Sequence, residues 1–154
     1  MGKDNWKSEL KTYFDNVKII EKCKAEAMTN FDQFCEFIAE SAFESLAKEL
    51  VEFDVKTKFW CEKGKLIHLQ LNFPGSKTDN FHYIISLPKN SVELKLRLRI
   101  KGRKNPHSNI EETEEAFMKN LKTPDALKLN RETLLEDVIQ RYRDFNYQAL
   151  TSPD

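Results

Sequence analysis

The sequence predicts an α+β fold: a four-stranded antiparallel meander sheet with one face covered by two N-terminal and two C-terminal helices. Three observations point there. Val92, Leu94, Leu96, Leu98 and Ile100 alternate with Glu93, Lys95, Arg97, Arg99 and Lys101. A period of two places the apolar side chains on one face of a strand and the charges on the other. Second, Lys3 to Lys63 contains neither Gly nor Pro, whereas Gly64 to Pro124 holds three Gly and four Pro, so helix gives way to strands joined by turns. Third, the links between the predicted strands are too short for parallel crossovers, which need about a dozen residues or more.

Taken in order, Asp4 or Asn5 caps a first helix with the stripe Trp6, Leu10, Tyr13, Phe14, Val17 and Ile20, spacings of three and four that keep one face apolar. Thr29 or Asn30 caps a second helix with Phe31, Phe34, Cys35, Ile38, Ala42, Leu46 and Leu50 inward. Near Val51 the period changes to two, so a strand from Val51 to Cys61 is expected, then a turn at Glu62-Lys63-Gly64-Lys65 with Gly64 free to take positive φ. The second strand sets Ile67, Leu69, Leu71 and Phe73 against His68, Gln70 and Asn72. Pro74 to Asn80 is a polar loop, the third strand runs from Phe81 to Leu87, and the fourth is Val92 to Lys101. Ser108 or Asn109 then caps a helix reaching about Leu121, its acidic first turn suiting the positive end of the helix dipole. Thr123-Pro124-Asp125 interrupts, and Asn130 opens a terminal helix with Leu134, Leu135, Val138, Ile139, Tyr142 and Phe145 inward. The last residues are expected to fray. Helices thus fall at about 5–50 and 109–149 and strands at about 51–101, in one domain spanning 1–154.

The 154 residues are enough for one substantial core. Basic and acidic residues balance at 25 each, which argues against a dedicated nucleic-acid or membrane polycation while leaving room for a local patch. Cys23, Cys35 and Cys61 make an odd set without CxxC spacing. The opening Met1-Gly2-Lys3-Asp4-Asn5-Trp6 reads neither as a secretory leader nor, with Trp6 in place of Ser or Thr, as a myristoylation signal. Free thiols in the cytoplasm are expected, and no apolar run approaches the roughly 20 residues of a membrane span.

If the apolar sides of all strands meet the helices, the other face shows Lys56, Lys58, Trp60, His68, Gln70, His82, Lys95, Arg97, Arg99 and Lys101, continued by Arg103 and Lys104. Basic side chains beside an aromatic on an open sheet are the ingredients of a single-stranded nucleic-acid platform. Val92 to Lys104 holds six Lys/Arg against one Glu. The plainer reading is a solvated face, with the acidic run Glu111 to Glu115 near enough in sequence to neutralise it.

Chemistry is thinly signalled. Pro74-Gly75-Ser76-Lys77-Thr78 lacks the first Gly and the strand-to-helix setting of a phosphate loop. His68 and His82 are expected on neighbouring strands, yet no third ligand stands by to complete a zinc site. There is no GxSxG, HExxH or dinucleotide fingerprint, and each cysteine fits a packing position better than an activated nucleophile. No catalytic residue, cofactor or metal ligand is assigned. The expectation is a non-enzymatic cytoplasmic macromolecule-binding domain, foremost a protein-protein interaction module. Self-association is one form of it, through Val92–Lys101 as a free sheet edge or through leftover apolar residues on the N-terminal helices. Nucleic-acid binding through Lys56, Lys58, Trp60, Lys95, Arg97, Arg99, Lys101, Arg103 and Lys104 is the alternative. A small-ligand or enzyme pocket between sheet and helices comes third.

Overall fold

Asn5 to Leu50 folds as one helical rod where two helices were expected. In the computed structural model, which describes residues 4–119 and 121–152, α1 (Asn5–Phe34) runs into a π-helical turn (Cys35–Ala39) and then α2 (Glu40–Leu50). Phe34 and Ala39 keep right-handed helical dihedrals at both junctions. Thr29 and Asn30 lie mid-helix: a capping side chain stops a helix only where the backbone leaves it, and nothing nearby forces it to leave. At the start, the Asp4 side chain makes no capping hydrogen bond. The π turn inserts an extra residue into the helix. Phe34, Cys35, Ile38, Ala39, Ala42 and Phe43 all reach the core across it. The rod ends in a 3-10 turn (Val51–Phe53) and at Asp54, which takes a left-handed φ of 56°. Val51 and Phe53, expected to open a strand, are therefore exposed at the helix end.

Five antiparallel strands follow in meander order: β1 (Thr57–Glu62), β2 (Leu66–Leu71), β3 (Phe81–Ser86), β4 (Arg97–Gly102) and β5 (Glu111–Ala116). The β1–β2 turn closes through Lys65 N–H donating to the Glu62 carbonyl at 2.9 Å, with Gly64 at φ +71°. Two expectations are corrected here. The helix expected from Ser108 or Asn109 to Leu121 is replaced by β5, whose glutamates lie beside Arg97, Arg99 and Lys101 of β4; cross-strand pairing overrides the helix preference of Glu. The sheet therefore has five strands, and β4 is paired on both sides instead of presenting a free edge. Val92 to Leu96 runs irregularly ahead of β4, but Leu94 and Leu96 are still buried. Their backbones are held by Thr123 Oγ1, which accepts the Leu94 N–H at 3.0 Å, and by the Phe117 N–H, which donates to the Leu96 carbonyl at 2.9 Å.

The one-turn α3 (Thr123–Leu127) precedes α4 (Arg131–Thr151), capped as expected when Asn130 Oδ1 accepts the Glu132 N–H at 2.8 Å. The helices cover the sheet face that carries Ile67, Leu69, Leu71, Phe81, Tyr83, Ile85 and Leu98, all fully buried. Phe43 meets Phe59 and Tyr83 edge-on, Phe34 meets Phe117, and Phe81 packs against Tyr142 and Phe145. Leu134, Val138 and Phe145 of α4 are inward, whereas Ile139 is exposed. Among the described residues no helix is long and apolar enough to cross a membrane. The readings placed on Met1 to Lys3 and the fraying expected at Pro153 and Asp154 lie outside the described residues.

Candidate functional site

The outer face of the sheet assembles in rows fixed by the register. One row is Lys58, Gln70, His82, Lys101 and Glu112; the next is Trp60, His68, Ile84, Arg99 and Glu114. Trp60 stacks on His68 with ring centroids 4.1 Å apart. His68 Nε2 lies 2.8 Å from His82 Nδ1, and His82 Nε2 lies 3.0 Å from Asp79 Oδ2. The carboxylate accepts only, so it fixes the proton on His82 Nε2 and leaves Nδ1 to accept from His68 Nε2–H. The chain of proton donation runs from His68 through His82 to Asp79. Burial pulls the His68 pKa down to about 4, helped by His82, Lys101 and Arg99. Burial also lowers that of His82, with Asp79 opposing. At neutral pH both rings are uncharged. The described residues hold no group of three or more His, Cys, Asp or Glu that could hold a metal ion.

Of the basic residues singled out in the sequence, the register gathers Lys58, Arg97, Arg99 and Lys101 on this face, while Lys56, Lys95, Arg103 and Lys104 lie beyond the strand ends. The cations have acidic company. Arg97 pairs with Glu114 at 3.4 Å, Arg99 with Glu112 at 3.5 Å, Lys104 with Glu111 at 3.5 Å and Arg103 with Asp79 at 3.9 Å. Lys95 sits 4.0 Å from Glu93. Lys56, Lys58 and Lys101 make no ion pair with a described residue. Exposed pairs of this kind stabilise by only about 0–1 kcal/mol each. Their effect on the field is larger, because β5 lays a row of carboxylates beside the row of cations that a phosphate backbone would need.

A second surface lies on α1. Trp6, Leu10, Tyr13, Phe14 and Ile20 are exposed, and Val17 is half-buried. Together with Lys24, Ala27, Phe31 and Phe34, the residues Trp6, Leu10, Tyr13, Val17 and Ile20 follow one another at alternating spacings of four and three, the signature of one continuous seam. Its C-terminal part, from Ala27, is inserted in the core; its N-terminal part is bare. The anchor is local: Asp32 Oδ1 accepts the Gly64 N–H at 2.6 Å, tying α1 to the β1–β2 turn. The first helix was expected to turn this stripe inward, and it does not. Continuity of the helix through Thr29 and Asn30 is the reason, since only a break there could fold the stripe back over the sheet.

Surface cavities open elsewhere on the molecule. One of about 590 Å³ opens beside Leu96, Phe117, Met118 and Leu121, rimmed by Lys95, Arg97 and Glu93. It lies at the end of the sheet, and none of His68, His82 and Asp79 lines it. Cys35 is buried, Cys23 and Cys61 are half-buried, and all three are free. Burial pushes the Cys35 and Cys61 thiols up, away from thiolate character. Sequence reasoning missed Asp79 as a partner of the outer face. It named the run Glu111 to Glu115 as able to neutralise the patch but placed it on a helix, whereas the pairing of neighbouring strands sets Glu112 and Glu114 beside Arg99 and Arg97. The β-favouring Ile110 and Thr113 around the glutamates were the available signal. No protein-family model, curated protein or solved structure matches the chain.

Proposed function

We propose that this chain is a protein-interaction module whose docking element is the bare N-terminal stripe of α1. One observation carries the reading: a seam on a single helix that is apolar but for Lys24, buried from Ala27 onward and exposed from Trp6 to Ile20 except at the half-buried Val17. Scattered apolar residues on a surface need no explanation, but aromatic and aliphatic side chains aligned over four helical turns form an amphipathic element of the kind that recognises a groove or another helix. Three free thiols fit work in a reducing compartment such as the cytoplasm.

The rival is nucleic-acid binding on the outer sheet face, supported by Trp60 and by Lys58 and Lys101, which form no ion pair with a described residue, and weakened by the β5 carboxylates. Affinity capture from host lysate separates the two. Wild type is compared with a Leu10→Glu/Tyr13→Glu/Ile20→Glu variant and an Arg97→Gln/Arg99→Gln/Lys101→Gln variant, each with and without nuclease. Docking through α1 requires captured protein that survives nuclease, is lost with the stripe variant and is kept with the basic-face variant. Capture that depends on nucleic acid or on the basic residues would replace this reading with its rival.

A further inference from the structure

Resting on the docking reading above, we infer that the occupant of the bare α1 stripe is a second copy of this chain, packed antiparallel. The seam supplies layers at Trp6, Leu10, Tyr13, Val17, Ile20 and Lys24 before Ala27 enters the core. Two such helices run antiparallel when Tyr13 of one faces Val17 of the other and Leu10 faces Ile20. Trp6 then lies against Lys24 of the second copy, at the edge of its folded body, where Lys24 lines a cavity with Gly64, Leu87 and Pro88; a longer overlap would run into the core at Ala27. The same alignment explains the one charged residue on the seam, because an ammonium over an indole face is a favourable contact. Lys24 is largely sheltered, with its side chain 28 % exposed.

Charge selects this arrangement over the others. Lys7, Phe14 and Glu21 directly follow Trp6, Tyr13 and Ile20 and flank the seam on one side. In the antiparallel alignment these positions face each other about the two-fold axis. Lys7 then meets Glu21 of the second copy, twice over, and the exposed Phe14 meets its own counterpart. A parallel pair would instead set Glu9 beside Phe14 and Asn16 beside Glu21, with no opposite charges. Sliding the antiparallel pair by one heptad toward the N-terminus sets Lys7 beside Phe14. Among the described residues both carry only local contacts within i,i+3: Lys7 pairs with Asp4 at 3.7 Å and lies 5.5 Å from the centre of the Trp6 ring, and the exposed Glu21 carboxylate pairs with Lys24 at 3.3 Å, so exchange for the second copy's charges costs little.

In area, Trp6, Tyr13 and Phe14, each more than half exposed, offer roughly 100 Å² apiece, given about 150–250 Å² for a whole aromatic side chain. With the aliphatic residues, the total approaches the lower end of specific interfaces, where about 600 Å² per partner is buried. A dimer that forms and dissociates with concentration is the consequence.

Light scattering and sedimentation of the full chain test it. The mass should move from 18.1 kDa toward twice that as concentration rises. Lys7→Glu and Glu21→Lys should each weaken the dimer about tenfold, since each turns two attractive pairs repulsive. The double swap should restore it. For orientation, Asn16→Cys in a Cys23→Ser background should give a disulfide-linked dimer, because Asn16 flanks the other side of the seam and meets its counterpart near the axis. Leu10→Cys should not, its counterpart lying about 15 Å along the helix, beyond the roughly 7 Å that a disulfide spans. A mass of 18.1 kDa at every concentration overturns the inference. So does cross-linking at Leu10 without cross-linking at Asn16, which would mean a parallel pair. If the chain stays monomeric while the stripe variant still loses a captured protein, self-pairing falls and the docking reading stands; if the capture also fails, both fall.

Discussion

Leu10 and Phe31 lie on one seam of one helix, 21 residues apart, yet Phe31 is fully buried and Leu10 is 48 % exposed. Three heptads separate them, so a single apolar period serves two environments: the protein's own core at one end and an outside surface at the other. Had the rod broken at Thr29, both would be expected against the sheet. The continuity of α1 is thus what turns a core stripe into a docking element.

The inner face of the sheet is tested at Leu98, which is 1 % exposed between neighbours on β3 and β5. Leu98→Ala should lower stability by about 2–5 kcal/mol, the range for truncating a buried Leu. Arg97→Ala next to it, with its side chain 40 % exposed, should change stability little. Urea denaturation of both variants measures the contrast, and equal effects would mean the faces are assigned the wrong way round.

Gly102 has no room for a side chain. A Cβ there would lie 2.5 Å from the Asn80 carbonyl oxygen and 2.6 Å from the Phe145 ring. The Asn80 carbonyl cannot retreat easily, because it accepts the Arg103 N–H at 2.9 Å while the Asn80 side chain is bonded to Phe73 and Arg103. Gly102→Ala should destabilise by about 1–3 kcal/mol through overpacking, seen as a lower thermal midpoint. An unchanged midpoint would mean that α4 does not sit where Phe145 presses on β4.

The buried Tyr83 hydroxyl donates to Asp137 Oδ2 at 2.5 Å, and Arg141 donates to the same oxygen at 3.1 Å while also pairing with Glu115. This network joins β3, α4 and β5. Burial and the Asp137 carboxylate both keep the Tyr83 phenol protonated. Tyr83→Phe removes a hydrogen bond to a charged group and should cost about 1.5–3 kcal/mol. A cost near zero in denaturant titration would show that Arg141 alone satisfies Asp137.

The histidine chain on the outer face makes stability depend on pH in a defined direction. His68 ordinarily titrates at 6.5 and in the fold at about 4, so between these values the unfolded chain binds a proton that the folded chain does not. Stability is full above pH 6.5 and falls as the pH drops toward 4. The lowered pKa of His82 acts in the same sense. Carboxylates contribute near the bottom of this window, so the comparison is between wild type and His68→Gln. The variant should lose less stability between pH 7 and 5. Identical losses would mean that the His68 ring is not held neutral by its surroundings.

Much of this fold was legible because periodicity reports burial directly. Ile67, Leu69 and Leu71, and Leu94, Leu96 and Leu98, alternate in sequence and are buried in fact, and the Gly64 turn and the Asn130 cap carry residue types that permit few other backbones. What misled were residues whose local preference lost to a partner elsewhere in the chain. Glu111 to Glu115 read as a helix start because Glu favours one, but their conformation was decided by the cations of β4. Thr29 and Asn30 read as caps because their side chains suit that position, although only a departing backbone makes them caps. Of the outer face, the proximity of His68 and His82 followed from strand register, whereas Asp79 came from a loop whose path no periodicity describes.

Photo-cross-linking from within the stripe tests the docking role of α1 most directly. A benzoylphenylalanine placed at Tyr13 in the expressed full chain should give protein adducts on irradiation in cells, whether with a second copy or with another protein. The same group at Lys18, on the outer side of the helix, should give few. Adducts from Tyr13 that exceed those from Lys18 and vanish when Leu10 and Ile20 are replaced by Glu are the expected result. Equal yields from the two positions, or none from Tyr13, would contradict the assignment of this stripe as the surface through which the protein works.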